Sequence, residues 1–467
     1  MALTPTDPSY QDDVATDPPT LEDTLADLAP PPSAPSPPLN PDEKYLAFFT
    51  HSGFQNQLIQ VENGILLAWY LNRTLILPKA ILGEVFGWSP MSKLQLEHQL
   101  RDQRTSPSCT EYASQIDRWQ TGCPSKNKFV AVPFDTIFDL TWAREHVKII
   151  DREESNDHWL AETLDIHRES IDPVGEELMH EPLGEVVDGD VIYFRGDTRY
   201  DWRIFDVPGR KPRLGKYAAA LNIQQLSQRK EKLIHFTSLF GSGRIPIRRT
   251  EHYEFFRSLQ RSVTYHHPTI LSATDLVTEK LGGNDNYIGI HIRSSDGWFV
   301  DALPDTVFSI VSNIDRAVLS HQHQQTNLTP GTWDDEEFRA GSSVAPQLST
   351  CVAAAKQGKT PLVYVATDDR HPRDNKAFDL IWQSYPCSFT LDDILTQADP
   401  DHAISRLLDS DPHPVTGSMR RFLLPMVDAS ISSRGWIFIG SKGSTFSGYI
   451  RRLHDIFWSG KKSEQLL

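Results

Sequence analysis

Several polar side chains stand just past apolar runs, where a sheet could hold them at one edge. In Tyr287-Ile288-Gly289-Ile290-His291-Ile292-Arg293, alternation puts the three isoleucines on one face. His291 and Arg293 then share the other face at the run's end. A guanidinium there offers a permanent charge and a fork of donors suited to a diphosphate; pairing with a neighbouring carboxylate is the alternative. Val363-Tyr364-Val365-Ala366 runs into Thr367-Asp368-Asp369. Asp368 could accept hydrogen bonds from a ribose or base, or cap the following helix.

Two further loops have the composition of anion sites. Thr50-His51-Ser52-Gly53-Phe54-Gln55-Asn56-Gln57 precedes a helical pattern at Leu58, Val61, Ile65 and Ala68. Gly53 permits close backbone approach, the helix start presents free N–H groups, and Asn56 and Gln57 can add side-chain hydrogen bonds. A plain turn with polar capping residues is the alternative. Phe438-Ile439-Gly440-Ser441-Lys442-Gly443-Ser444-Thr445-Phe446-Ser447 leads into a helix marked by Phe446, Tyr449, Ile450, Leu453 and Phe457. Small residues at such a start suit phosphate, and an ordinary Ser/Thr cap is again the alternative. No Walker A motif occurs, and no strand precedes Gly-x-Gly-x-x-Gly; Gly241-Ser242-Gly243 is the nearest approach.

The elements that must position these loops alternate strand and helix, as in parallel α/β sheets. Strands are expected at 45–49, 74–77, 191–194, 233–236, 287–292, 362–366 and 436–439, with a polar helix near 251–264. Two Rossmann-like halves facing a cleft fit this order. The expected boundaries are a Pro-rich acidic disordered tail over 1–42, a first half over 43–260 and a second over 261–467. Residues 1–41 hold eleven prolines and no Lys or Arg, too little apolar surface to offset chain entropy. A second soft stretch, 321–360, reads as a solvated insertion.

Composition bounds the function. The chain has 467 residues, 46 Lys+Arg against 62 Asp+Glu, and a formal net charge of −16. That balance argues against a general nucleic-acid binder. No apolar run reaches the ~20 residues that span a bilayer, and the N-terminus shows no signal-peptide pattern. Cys109, Cys123, Cys351 and Cys387 form no C-x-x-C pair and no zinc-finger spacing; Cys109 and Cys123 bracket a loop-like stretch and could be bridged in an oxidising compartment. Asn72 and Asn327 lie in glycosylation sequons.

Taken in order, Ser52-Gly53-Phe54-Gln55-Asn56-Gln57, Ile290-His291-Ile292-Arg293, Ala366-Thr367-Asp368, Phe438-Ile439-Gly440-Ser441 and Ser444-Thr445-Phe446-Ser447 resemble the GDP-fucose protein O-fucosyltransferase family in its fungal form. The likeness covers roughly Tyr45 to Trp458 and includes His235–Ser242. It implies a GT-B-like fold and inverting, metal-independent transfer of fucose from GDP-fucose to a hydroxyl of a protein or glycan, in the ER or Golgi lumen. In this reading Arg293 holds the β-phosphate, Asn56 and the backbone around Gly53 and Phe54 line the donor and catalytic pocket, and His291 and Asp368 contact the guanosine. Ser444, Thr445 and Phe446 cradle phosphate and fucose. No cofactor is implied beyond the donor substrate. Some family members carry a Glu just before Gly-Phe; here the residues are His51-Ser52. His51 titrating near neutrality could take the acceptor proton, or could be structural. The alternatives are a degenerate member that binds without transferring, and a transferase for another nucleotide-sugar. Acceptor contacts are expected in loops 85–130 and 321–360.

Overall fold

The computed structural model describes residues 42–84, 86–102, 109–169, 182–207, 213–324 and 344–464. The tail expected over 1–42 therefore falls outside the described residues except for Asp42, as does the sequon at Asn327. In chain order the strands are β1 Tyr45–Phe48, β2 Thr74–Leu77, β3 Ala80–Gly83, β4 Phe129–Val132, β5 Ile149–Asp151, β6 Gly184–Asp188 and β7 Val191–Arg195. They continue with β8 Trp202–Phe205, β9 Ala219–Asn222, β10 Leu233–Phe236, β11 Tyr287–Ile292, β12 Leu362–Thr367, β13 Ser388–Phe389 and β14 Ile437–Gly440. The seven expected strands are all present, with ends shifted by at most one residue.

The fold is mixed α/β. Among the described residues one sheet runs β5-β2-β1-β10-β7-β6 and a second runs β13-β12-β11-β14. Pairing is parallel throughout the second sheet, and in the first except where β6 meets β7. Two short pairs, β3 with β4 and β8 with β9, stand apart. Parallel strands point their carboxyl ends the same way, so each sheet collects its polar loop starts along one edge.

The helices that matter for the site are α1 Phe54–Leu71, α2 Thr250–Ser262, α3 Pro268–Lys280, α4 Leu303–Gln324, α5 Leu348–Lys356, α6 Arg420–Arg434 and α7 Thr445–Glu464. α1 forms because its apolar residues recur at helical spacing, and it stops at Asn72, which takes the left-handed conformation at φ 49°. Asn72 is exposed there. β11 lies hard against α6. A Cβ built on Gly289 would stand 1.9 Å from the Ser432 carbonyl oxygen, so only glycine permits that approach.

Each sheet is buried on both faces, as parallel sheets are. Tyr45, Ala47, Phe49, Ile76, Val191 and Leu233 pack on one face of the first sheet, and Ile288, Ile290, Ile292, Val363, Val365 and Ile439 on one face of the second. The remaining faces join a single apolar cluster that runs from Leu46, Phe48 and Phe236 to Tyr287, Tyr364, Phe438 and Ile450. The two sheets thus share one core, and the described residues from Asp42 on form one compact unit. A buried ion pair crosses the chain as well: Arg452 on α7 reaches Glu62 on α1 at 2.5 Å, and Gln260 on α2 also donates to Glu62.

The stretch 321–360 is not a uniform solvated insertion. Its first residues complete α4, and Leu348–Lys356 is helix α5, with Leu348, Cys351 and Ala354 buried; 325–343 lie outside the described residues. The physical reason is a bond that spacing does not reveal. Cys351 is joined to Cys387 just before β13, with Cα atoms 5.5 Å apart. Cys109 and Cys123 are also joined, with Cα atoms 6.0 Å apart.

Cross-links of this kind act largely on the unfolded chain. For sequence separations of 14 and 36 residues, loop-closure entropy gives about 3 and about 4 kcal/mol. We expect the intact protein to weigh four hydrogens less than its reduced form. Replacing Cys351 and Cys387 together by alanine should lower urea stability by about 4 kcal/mol. Free thiols at all four positions in protein purified without reductant would contradict this pairing.

Candidate functional site

The second sheet places Arg293, Asp368 and Ser441 together at the ends of β11, β12 and β14. β11 is central, and its residues His291 and Ile292 stand level with Gly440 of β14 and Thr367 of β12, respectively. Ser441 stitches the seam: its N–H donates to the His291 carbonyl at 3.0 Å, and its hydroxyl accepts from the Arg293 N–H at 2.9 Å. The backbone that presents Arg293 is thus fixed by the Gly/Ser loop.

Asp368 organises the turn that follows. Oδ1 accepts from the Ser294 N–H at 2.7 Å and from its hydroxyl at 2.9 Å, and Oδ2 accepts from Ser295. Arg293 Nη1 lies 2.8 Å from Oδ2. Burial opposes ionisation of Asp368, but the bonds from Ser295 and Ser294 and the charge of Arg293 hold its pKa below the ordinary value. It is a carboxylate tied to the β11 loop, and among the described residues it caps no helix. Arg293 itself is about a third exposed and pairs a second time, with Asp296.

His291 is buried beneath this surface. Its Nδ1 lies 2.7 Å from the Ser447 hydroxyl, and its ring meets Phe446 edge-on with centroids 5.1 Å apart. Burial is the main force depressing its pKa, to about 4, so the ring is neutral near pH 7. The structure therefore brings His291 against α7 and leaves its side chain 2% exposed. Ser444 caps α7, accepting from the Ser447 N–H at 3.2 Å. Thr445 is exposed at the helix start and Phe446 is half-buried. The capping role and an open N-terminus coexist, since one capped N–H leaves others of the first turn unpaired by the helix.

The first sheet contributes the β1–α1 loop. Gly53 is exposed, with open space where a Cβ would stand, and α1 begins there without a side-chain cap. Phe54 stacks on Phe138 at 5.1 Å. Asn56 is half-buried, and its Oδ1 has no hydrogen-bond partner among the described residues. Gln57 serves the fold instead: it exchanges hydrogen bonds with the Ile81 backbone at 2.8 and 3.0 Å.

His51 is enclosed by its surroundings. It is 1% exposed, with Nδ1 2.7 Å from Ser52 Oγ and Nε2 3.0 Å from Ser238 Oγ. Ser238 spends its proton on Gln60 Oε1, so it accepts from His51, which fixes the Nε2–H tautomer and leaves Nδ1 to accept from Ser52. Burial first, then Arg244, Arg199 and His98, press the pKa to about 3. Titration near neutrality does not hold. Ser52 adopts a left-handed φ of 66°, uncommon for serine.

Sequence reasoning missed Ser238, Gln60 and Asn63. Gln60 donates to the carbonyls of His51 and Asn56, and Asn63 to those of Leu239 and Gly241. A signal existed: polar residues at 57, 60 and 63 sit on the buried face of a helix. Asp296 was also passed over, although it stands four residues past the end of β11, and Ser441, read as part of the Gly/Ser loop, was given no role of its own. Among the described residues no group of three or more His, Cys, Asp or Glu is placed to hold a metal ion, and no helix is long and apolar enough to cross a membrane. A cavity of 560 Å³ lies elsewhere, along the outer edge of β14 beside Arg316 and Arg451.

No protein-family model and no curated protein matches this chain. Solved structures are similar over most of its length. POFUT1 in complex with GDP is 13% identical, covers 89% of this chain and 96% of its own, and has a TM-score of 0.38. POFUT1 in complex with GDP-fucose is 12% identical over 90% and 95%, with a TM-score of 0.37. The fucosyltransferase NodZ from Bradyrhizobium is 13% identical over 88% and 93%, with a TM-score of 0.34. At these scores the likeness transfers no residue role.

The neutral state of His51 has a measurable consequence. Its folded pKa is about 3 against ~6.5 unfolded, so below ~6.5 the unfolded chain binds a proton that the fold refuses. Stability from this group is full above that value and falls as pH drops toward 3. We expect His51→Gln to remove about 1.4 kcal/mol per pH unit of acid sensitivity between about pH 6 and pH 4. An NMR titration placing His51 above pH 6 would refute the assignment.

Proposed function

We propose that this chain is a glycosyltransferase that takes fucose from GDP-fucose and delivers it, with inversion and without a metal, to a hydroxyl acceptor on a protein or glycan. The observation that carries the reading is the seating of Arg293: a guanidinium at the end of the central parallel strand, its backbone pinned by Ser441. The loop that begins at Ser441 leads into the start of α7. A fixed cation and a helix start are what a diphosphate needs as negative charge develops on it. The order of the sequence motifs supplies the sugar and the nucleotide.

In the reaction the C1–oxygen bond to the β-phosphate breaks and a bond from the acceptor oxygen to C1 forms on the opposite face. The sugar passes through an oxocarbenium-like state. Arg293 and the α7 start take up the charge of the departing GDP. A histidine whose pKa lies near 3 is a weak base at neutral pH. The acceptor proton therefore goes to an oxygen of the departing phosphate, and bond breaking runs well ahead of bond making. Asn56, whose Oδ1 has no hydrogen-bond partner among the described residues, supplies an acceptor for the incoming hydroxyl. The low pKa of His51 favours one second reading, a member of the same fold that holds the nucleotide without transferring the sugar.

We expect GDP and GDP-fucose to bind in calorimetry equally with and without EDTA. Arg293→Ala should leave the unfolding midpoint unchanged and reduce GDP release from GDP-fucose by about 10²- to 10³-fold. Binding with no GDP release by the wild type would select the non-transferring reading. Absence of GDP binding at millimolar concentration would defeat both.

A further inference from the structure

We propose that Asp296 is a resident anion that occupies Arg293 while the site is empty and yields it to the incoming diphosphate. The inference rests on the donor-site reading above. Asp296 grips the guanidinium side-on, Oδ1 3.1 Å from Nε and Oδ2 2.6 Å from Nη2. Asp368 takes the other flank at Nη1, 2.8 Å away. Both carboxylates together fill the fork that a diphosphate would need.

The two carboxylates are not equivalent. Asp368 has a side chain only 20% exposed and is bound by three donors of Ser294 and Ser295. Removing it would strip the β11 loop of its anchor. The Asp296 side chain is 62% exposed, and among the described residues it bonds to Arg293 alone. One occupant is built in, and the other is held by a single exchangeable pair.

The backbone around Asp296 allows the exchange. Gly297 follows at φ 54°, ψ −140°, a conformation closed to residues with a Cβ. The next residue, Trp298, is exposed and crosses to the Gly/Ser loop, where a Cβ built on Gly443 would stand 3.1 Å from its Cζ2. Asp296 and Trp298 thus hold a short strap across the ends of β11 and β14, one by charge and one by contact. A ligand phosphate on Arg293 replaces the charged end of the strap with its own oxygens, so the donor competes with the protein for the same guanidinium.

The test is calorimetric titration of the intact chain with GDP and, separately, inorganic pyrophosphate. Asp296→Asn should bind both about two- to fivefold more tightly, the scale of an exposed ion pair, and Asp296→Glu should return affinity toward that of the wild type. In an Arg293→Lys background, where the side-on grip is lost, the gain should shrink. An equal gain in both backgrounds, or none in the wild-type background while GDP still binds, overturns the inference and leaves the donor site standing. Failure of both wild type and Asp296→Asn to bind either probe overturns the donor site and the inference with it.

Discussion

Glu62 lies in the interior of the protein, where Arg452 pairs with it and Gln260 donates to it. An unpaired charge at 3% exposure would cost several kcal/mol, so α1 and α7 must come together wherever this chain is folded. Each residue lies about two helical turns from the start of its helix. Those starts are the two candidate ligand loops, Gly53–Asn56 and Ser441–Thr445. The pair therefore does more than join two halves around a common core. It sets the span between the two helix N-termini that the site depends on, while Tyr449 of α7 donates to Val263 at the end of α2.

The sheets were legible because parallel strands buried on both faces read as short β-branched runs, as in Tyr287–Ile292 and Leu362–Ala366. Strand ends also pointed to Arg293 and Asp368, since the carboxyl edge of a parallel sheet is where loops can face a ligand. What could not be read was the state of those groups. Whether His51 titrates depends first on its burial and then on Arg244 and Arg199, residues some 150 to 190 positions away that only the fold brings near. Gln57 resembled a ligand contact by its place beside Asn56, yet helical geometry turns it inward to Ile81. The pairs β3–β4 and β8–β9 escaped notice because four-residue strands between prolines and turns carry too little period to separate from loop.

The site is also an exercise in charge management by a chain with a net charge of −16. A guanidinium left bare would suit an anion but would lack a partner when none is bound. Here Asp368 gives it a fixed counter-charge and shapes the loop at the same time. Long-range repulsion between an acidic protein and an acidic ligand is screened beyond ~8 Å at physiological salt, so local arrangement decides binding. Burying His51, His98, His235 and His291 in neutral form keeps additional positive charge away from the surface near the strand ends.

The separation between Glu62 and Arg452 is 390 residues, which bears on how the molecule is made. At ribosomal rates of about 5 to 20 residues per second, that interval is roughly 20 to 80 s. Throughout it, the emerging first sheet carries a carboxylate with no guanidinium to meet it, on a helix face that cannot close. The nascent chain must hold that face open to water or to a folding factor until α7 arrives. Assembly of the ligand loops therefore waits on translation of α7.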